Sequence, residues 1–409
     1  MCPGKAGVWV ALAAVACGGC GSQSSQPNDA DAGSLPATLA LTADWLHHTV
    51  SLVDFDALVS LAPEADAGTS EAGASDASAP HASSAAASST RIGEIDLGHY
   101  AQAPYSLRIT PDGATAIVSM SAGFFTVPGA GILVNTSSIP TGSGEVLLID
   151  IATRSVVASL DTGADATGIA ITHDGGRAFV CHAGASSVTI IDVAARKILQ
   201  QVDLGGTFAE EISLDDSGTV GIVTYLDPAT NAKNARTFAV ADMASTLSAP
   251  IPLDSDAAGV PFFPGSKVAY VVLAYNPLTS PSSGYALVDA TSPSSPVKLV
   301  ETKWTDATYV DYQAIPYPAH GTVLVPVAAG NRLTVREYAL GGSDVVLQKT
   351  YDVAPTGLFG AFGAVVDARG RMALSMPAAR QLAVLDLASG AVFTVPWFPE
   401  AGPLGIALR

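Results

Sequence analysis

Carboxylates are the residues of this 409-residue chain best placed to do chemistry, and they occur in two arrangements. Glu210 and Glu211 are adjacent, so each can disturb the other's ionisation, which is one route to a carboxyl poised for acid or base work. Seven further acids, Asp54, Asp150, Asp192, Asp242, Asp289, Glu337 and Asp386, each follow a short apolar run. These read as structural, because an acid at the start of a tight turn accepts backbone N–H groups two residues ahead. Other chemistry is sparse. Cys181-His182 lacks the second Cys or His pair of a zinc site, so no metal is expected and Cys181 reads as a small core residue. His173 reads as a solvated turn residue and His182 as a structural histidine. No Cys-x-x-Cys-His run offers haem attachment, and no cofactor is expected.

The elements that must position these acids show themselves by repetition. Runs such as Val146-Leu147-Leu148-Ile149-Asp150, Val188-Thr189-Ile190-Ile191-Asp192 and Leu382-Ala383-Val384-Leu385-Asp386 share one pattern, with Asp242 falling one residue late in its copy. From Asp150 onward the intervals, by subtraction, are 42, 50, 47, 48 and 49 residues. A period of that size marks a propeller or solenoid, whose small sheets cannot bury both faces alone. Ahead of Asp192, residues 166–180 read as strand, Asp174-Gly175 turn, strand, and residues 197–204 supply a fourth strand by period-two alternation. The plan recurs around Asp112-Gly113 and Ser217-Gly218, and more weakly at Pro264-Gly265, His320-Gly321 and Arg369-Gly370.

The interval from Asp54 to Asp150 is 96 residues, but it holds two inserts. Residues 62–90 contain 11 Ala and 7 Ser with no large apolar side chain, so they cannot offset their own ordering and are expected to be disordered. Residues 122–143 form a Gly-rich loop, and removing both segments restores a 45-residue repeat. Pro403-Leu404-Gly405-Ile406-Ala407-Leu408 repeats the first-strand pattern of Pro104-Tyr105-Ser106-Leu107-Arg108-Ile109. Its partners, residues 37–43 and 49–54, lie at the other end of the chain. The fold expected is all-β, a seven-bladed β-propeller of four-stranded antiparallel blades over residues 37–409, closed by a blade shared between both ends.

Loops leading into the innermost strands of such a ring surround a central channel. Aligning first strands on Thr167-Gly168-Ile169 puts Tyr105, Glu210, Asp311, Phe362 and Leu404 at the position of Thr167. Ser106, Glu211, Tyr312, Gly363 and Gly405 then stand beside them. The candidate ligand site is therefore Tyr105, Glu210, Glu211, Asp311, Tyr312 and Phe362. An acidic, aromatic mouth suits a polar ligand such as a sugar, a peptide or a cation and repels an anion. The competing expectation is that Tyr105 and Phe362 plug the channel while the acids face water.

Residues 1–16 carry Lys5 and an apolar stretch from residue 6 to residue 16, too short to span a membrane and suited to an export signal. Ala14-Val15-Ala16-Cys17 followed by Gly18-Gly19 resembles a bacterial lipobox, which makes Cys17 the expected lipidation site and the membrane a partner through that anchor. Residues 17–36 read as a flexible tether. Cell-envelope localisation at the outer membrane or cell surface is the corresponding expectation. One cysteine in the folded part makes no disulfide framework, and a net charge of −18 with scattered basic residues excludes nucleic acid as a partner.

The turn Thr172-His173-Asp174-Gly175-Gly176, the strand Ala178-Phe179-Val180-Cys181-His182 and the run to Asp192 resemble the YVTN-repeat and lactonase-like β-propellers. That family includes binding proteins, electron-transfer enzymes and lactonases. The resemblance implies the fold and leaves two activities open. One is a binding or scaffolding module for a polar small molecule, glycan or protein. The other is a lactonase-like hydrolase with a mouth carboxylate as general base.

Overall fold

Strands covered on both faces read as continuous apolar runs, and strands at a rim alternate. The repeat at residues 166–203 follows that rule from the axis outward: Arg177–His182 and Ser187–Asp192 are buried almost throughout, whereas Lys197–Asp203 is mostly exposed. In the computed structural model the described residues are 35–409 except 62–82, 101, 122–123, 128–131, 136–143, 164, 207, 228–231, 258, 275–282, 306–308, 311–313, 330–331, 356–360, 377–378 and 398–402. Pro36–Arg409 is one compact unit.

Seven antiparallel sheets form a ring, the seven-bladed β-propeller. The first blade is shared: Pro403–Leu408 is its innermost strand, followed outward by Leu39–Asp44, Thr49–Asp54 and Arg91–Asp96. The second blade runs through Ala103–Ile109, Thr115–Ser121, Gly144–Asp150 and Ser155–Gly163. The third consists of Ala166–Ile171, Arg177–His182, Ser187–Asp192 and Lys197–Asp203. The fourth to seventh blades occupy residues 212–253, 256–303, 309–355 and 364–396. In the sixth, two short segments, Tyr309–Val310 and Ile315–Tyr317, share the innermost position.

The core lies between blades. Phe179 of the third blade packs against Phe238 of the fourth at 5.7 Å between ring centroids, within a buried cluster drawn from both. Similar clusters join the sixth blade to the seventh and the seventh to the first. Each of the six turns from a first to a second strand has a glycine with φ between 64° and 80°: Gly113, Gly175, Gly218, Gly265, Gly321 and Gly370. The shared blade needs no such turn, because its first two strands meet through Leu41 and Ala407 from opposite ends of the ring.

A buried carboxylate fastens that junction. Asp44, 1% exposed, accepts hydrogen bonds from Thr42 Oγ1 at 3.0 Å, Thr49 Oγ1 at 3.4 Å, Ser51 Oγ at 2.5 Å and the seventh blade's Trp397 Nε1 at 3.1 Å. Burial raises its pKa, and those hydrogen bonds recover part of the cost.

Both inserts hold ordered pieces. Within residues 62–90 the expectation of disorder fails at the C-terminal end: Ser84–Ser89 is a helix, with Ser83 Oγ accepting from Ala86 N at 3.1 Å. Ala87 is buried in the cluster that contains Phe55, Leu58 and Trp397, so a short helix of small residues finds a partner the composition did not reveal. Within residues 122–143, Phe124–Val127 pairs with Ile132–Asn135 as a hairpin. The signal segment, Cys17 and residues 17–34 of the tether lie outside the described residues.

Candidate functional site

The seven acids that open the sequence argument divide on inspection. Five are equivalent in the sheets: Asp54, Asp150, Asp192, Asp289 and Asp386 each pair with the first residue of their blade's second strand. Four of them, Asp54, Asp150, Asp192 and Asp386, accept the N–H three residues ahead at 2.7 to 2.9 Å. Only Asp289 accepts from two residues ahead, at 2.8 Å, so the turns are mostly one residue wider than expected. Asp242 is three positions late rather than one, since Ala239 holds the equivalent place opposite Val220; it caps the short helix Met243–Thr246 instead.

Glu337 is two positions early, because Ala339 faces Thr322. It turns inward and accepts from His320 Nδ1 at 2.8 Å, Thr322 Oγ1 at 3.0 Å and Tyr351 Oη at 3.0 Å. Burial raises its pKa, but these bonds outweigh it and the net direction is downward.

The channel itself is a cavity of about 470 Å³ lined by the inner strands of all seven blades. Its wall mixes aliphatic residues, Ile169, Ile212, Val260, Ile315, Val365 and Ile406 from six of them, with polar ones, among them Ser213 and Asp215. One end is rimmed by first-turn residues, among them Pro111, His173, Asp216 and Gly218. The inner strands converge closely. A Cβ on Gly168 would stand 2.5 Å from Glu210 O and 3.0 Å from Glu211 Cα, and the Gly168 N–H donates to Glu210 O at 2.9 Å. Glycine is therefore what lets the third and fourth blades meet at the axis.

Of the six nominated residues, Glu211 lines this cavity. It is 7% exposed, its backbone is fixed to Thr224 by N–H···O bonds, and its carboxylate receives no hydrogen bond from a described residue. Burial pushes its pKa up to about 8, with Arg108 acting in the opposite direction. Glu210 is buried beside it, and both acids add to the burial that drives the Tyr105 phenol and the Cys181 thiol upward.

Tyr105 and Phe362 pack edge to face at 5.5 Å and 80°, in a buried cluster with Trp45 and Ala103. That cluster sits where the inner strands begin, at the other end from the first-turn rim, and neither ring lines the cavity. Asp311 and Tyr312 lie outside the described residues. Val310 faces Val327 as Ala166 faces His182, and Pro316 faces Val323 as Ile171 faces Ala178, so the sixth blade has one more residue between these two pairings than the third.

Sequence reasoning missed Arg108. It lines the cavity from the second blade, its Nη1 donates to Leu107 O at 2.9 Å, and burial lowers its pKa while Glu211 opposes that shift. Its signal was present two positions beyond the aligned pair, where the other blades place Ala170, Ser213, Pro261, Ile315, Val365 and Ala407. His182 is fully buried with Nε2 at 2.8 Å from Thr189 Oγ1, and does not face the cavity. Among the described residues no three His, Cys, Asp or Glu side chains group as metal ligands.

Fold and channel together define a seven-bladed β-propeller whose bore carries Arg108 and Glu211 among aliphatic residues, with Ser213, Asp215, Asp216 and His173 also lining it. A functionally unknown protein from Desulfotomaculum acetoxidans is similar to this chain, at 14% identity and a TM-score of 0.61 over 90% of this chain and 98% of that one. Hydrazine synthase of Kuenenia stuttgartiensis matches at 14% identity and 0.53, over 71% and 79%. The Cps50 (Swd1) β-propeller domain of Myceliophteria thermophila matches at 10% and 0.53, over 74% and 89%. No family model matches the chain, and no curated protein matches it in sequence. At these identities the likeness concerns the fold alone.

Proposed function

We propose that this protein is an exported, lipid-anchored propeller of the YVTN-repeat kind that binds a polar small molecule in its central channel at the cell envelope. The observation that carries the binding reading is Glu211, a buried carboxylate facing a cavity of about 470 Å³ with no hydrogen bond from a described residue. Buried polar groups are ordinarily satisfied, and one left open toward a cavity of ligand size is suited to an occupant. Anchoring rests on the apolar stretch at residues 6–16 and on Cys17.

Filling the bore tests the binding reading. Ser213 lines the channel and is only half-buried, so Ser213→Trp fills space without entering the core. Wild-type protein titrated with amino acids, spermidine, glucose and trehalose should bind at least one of them, and Ser213→Trp should abolish that binding while retaining the wild-type circular dichroism spectrum. Binding that survives the substitution places the ligand elsewhere. For the anchor, Cys17→Ala should eliminate labelling by a radioactive fatty acid; labelling that persists removes Cys17 from the proposal.

A hydrolase of the lactonase-like type is the second reading, and one observation favours it. A carboxyl pushed up to about 8 is poised near neutral pH, as a general acid or base needs, and the Arg108 guanidinium in the same channel offers an electrophilic partner for a carbonyl oxygen. Glu211→Gln should then abolish turnover in a lactone and ester panel. A wild-type protein inert across that panel leaves the binder.

A further inference from the structure

We propose that Arg108 and Glu211 form a two-point site for a small ligand that carries a carboxylate and an ammonium group on an aliphatic body. The inference rests on the channel-binding reading and names the ligand class for it. Arg108 comes from the second blade and Glu211 from the fourth, and between them the third blade lines the cavity with Ile169, Ala170, Ile171 and His173. Both charged side chains therefore reach the same cavity, yet no ion pair joins them. Among the described residues, Arg108 donates only to the carbonyl of its neighbour Leu107.

The occupant must answer both groups. A simple cation would satisfy Glu211 and leave the Arg108 guanidinium without an anion in hydrogen-bond contact, and a simple anion would leave the Glu211 carboxylate without a donor. An uncharged polyol would pair fully with neither, although each group is costly to keep from water. A zwitterion meets both: its carboxylate matches the planar fork of Arg108, and its ammonium donates to Glu211. The rest of the wall decides the body. Ile169, Ile212, Val260 and Val365 reward an aliphatic side chain, and the volume of about 470 Å³ admits an amino acid or short peptide.

The test is calorimetric titration of the full chain with L-leucine, with leucinamide, which lacks the carboxylate, and with isocaproate, which lacks the ammonium. Leucine should bind about tenfold or more tightly than either analogue, the size expected for one charge-assisted hydrogen bond. Glu211→Gln should reduce leucine to the affinity of isocaproate, and Arg108→Met should reduce it to that of leucinamide. The inference is overturned if leucine does not bind, if an analogue binds as well as leucine, or if the advantage survives both substitutions. Binding of glucose, trehalose or spermidine that Ser213→Trp abolishes would, beside a negative leucine result, retain the channel reading and discard only the ligand class.

Discussion

Asp44 and Glu211 are both carboxylates taken out of water, and the protein treats them in opposite ways. Four donors from two blades converge on Asp44, whereas the Glu211 carboxylate receives no hydrogen bond from a described residue and faces a cavity. Burial raises the pKa of both. Burial alone therefore does not separate an acid that fastens the fold from one left open to a ligand. Completeness of the hydrogen-bond shell does, because a satisfied group stabilises one arrangement and an open one is free to recruit a ligand.

The sharpest way to break this contrast is to remove each acid. Asp44→Ala strands the Trp397 indole N–H and the hydroxyls of Thr42 and Ser51 in the core, and should cost about 3–5 kcal/mol in urea unfolding. Leucine affinity of the folded variant should be unchanged.

Glu211→Gln should act in the other direction, and only at high pH. The folded pKa of about 8 lies above the unfolded value of 4.5, so the folded state keeps a proton that the unfolded state has released. Stability tied to that proton is full below about pH 4.5 and is lost as pH rises through about 8. The Gln variant carries no such slope. It should be more stable than the wild type by about 2–4 kcal/mol at pH 9 and within about 0.5 kcal/mol of it at pH 5. Destabilisation at both pH values would make Glu211 a second Asp44.

Gly168→Ala probes the backbone that presents Glu211. The new methyl meets main-chain atoms of Glu210 and Glu211 that have no flexible end to move, and about 2 kcal/mol of stability should be lost together with channel binding. The smallest effect belongs to residues 62–82. Deleting them while keeping the helix Ser84–Ser89 should change the melting temperature by less than about 2 °C, since closure cost depends weakly on loop length. Extending the deletion through Thr90 should cost more, because Ala87 packs with Phe55 and Trp397.

Most of the ring was legible in the sequence, for a physical reason. A blade buried on both faces needs apolar runs, and a tight turn between its first two strands needs a residue that tolerates positive φ, so Asp174-Gly175 and Asp112-Gly113 announced their turns directly. Register was less legible. In the sixth blade the third strand, Arg332–Gly341, runs 10 residues and carries its acid two positions early while the overall interval stays near the others. A constant period therefore concealed an unequal division between strand and loop. Of the candidate site, Glu211 is legible in the alignment of the two positions where the inner strand begins, and Arg108 is not, because it stands two positions further along, where no other blade has a charged residue. Tyr105 lies within the inner strand Ala103–Ile109 and Phe362 just ahead of Ala364–Val366, and whether such a ring caps a bore or lines it depends on neighbours such as Trp45, which comes from a different blade.

The blade shared by both ends also sets the order in which this protein can fold. Pairing of Leu41 with Ala407 closes a loop that contains the other six blades, so it carries the largest entropic cost of any contact in the ring and forms late. Until it does, Leu39–Asp44 is an unpaired strand edge and the Asp44 cluster lacks Trp397. Refolding at high protein concentration should therefore favour exchange of Pro403–Leu408 between two chains, giving a dimer whose blades are intact but whose rings are closed by each other's strand.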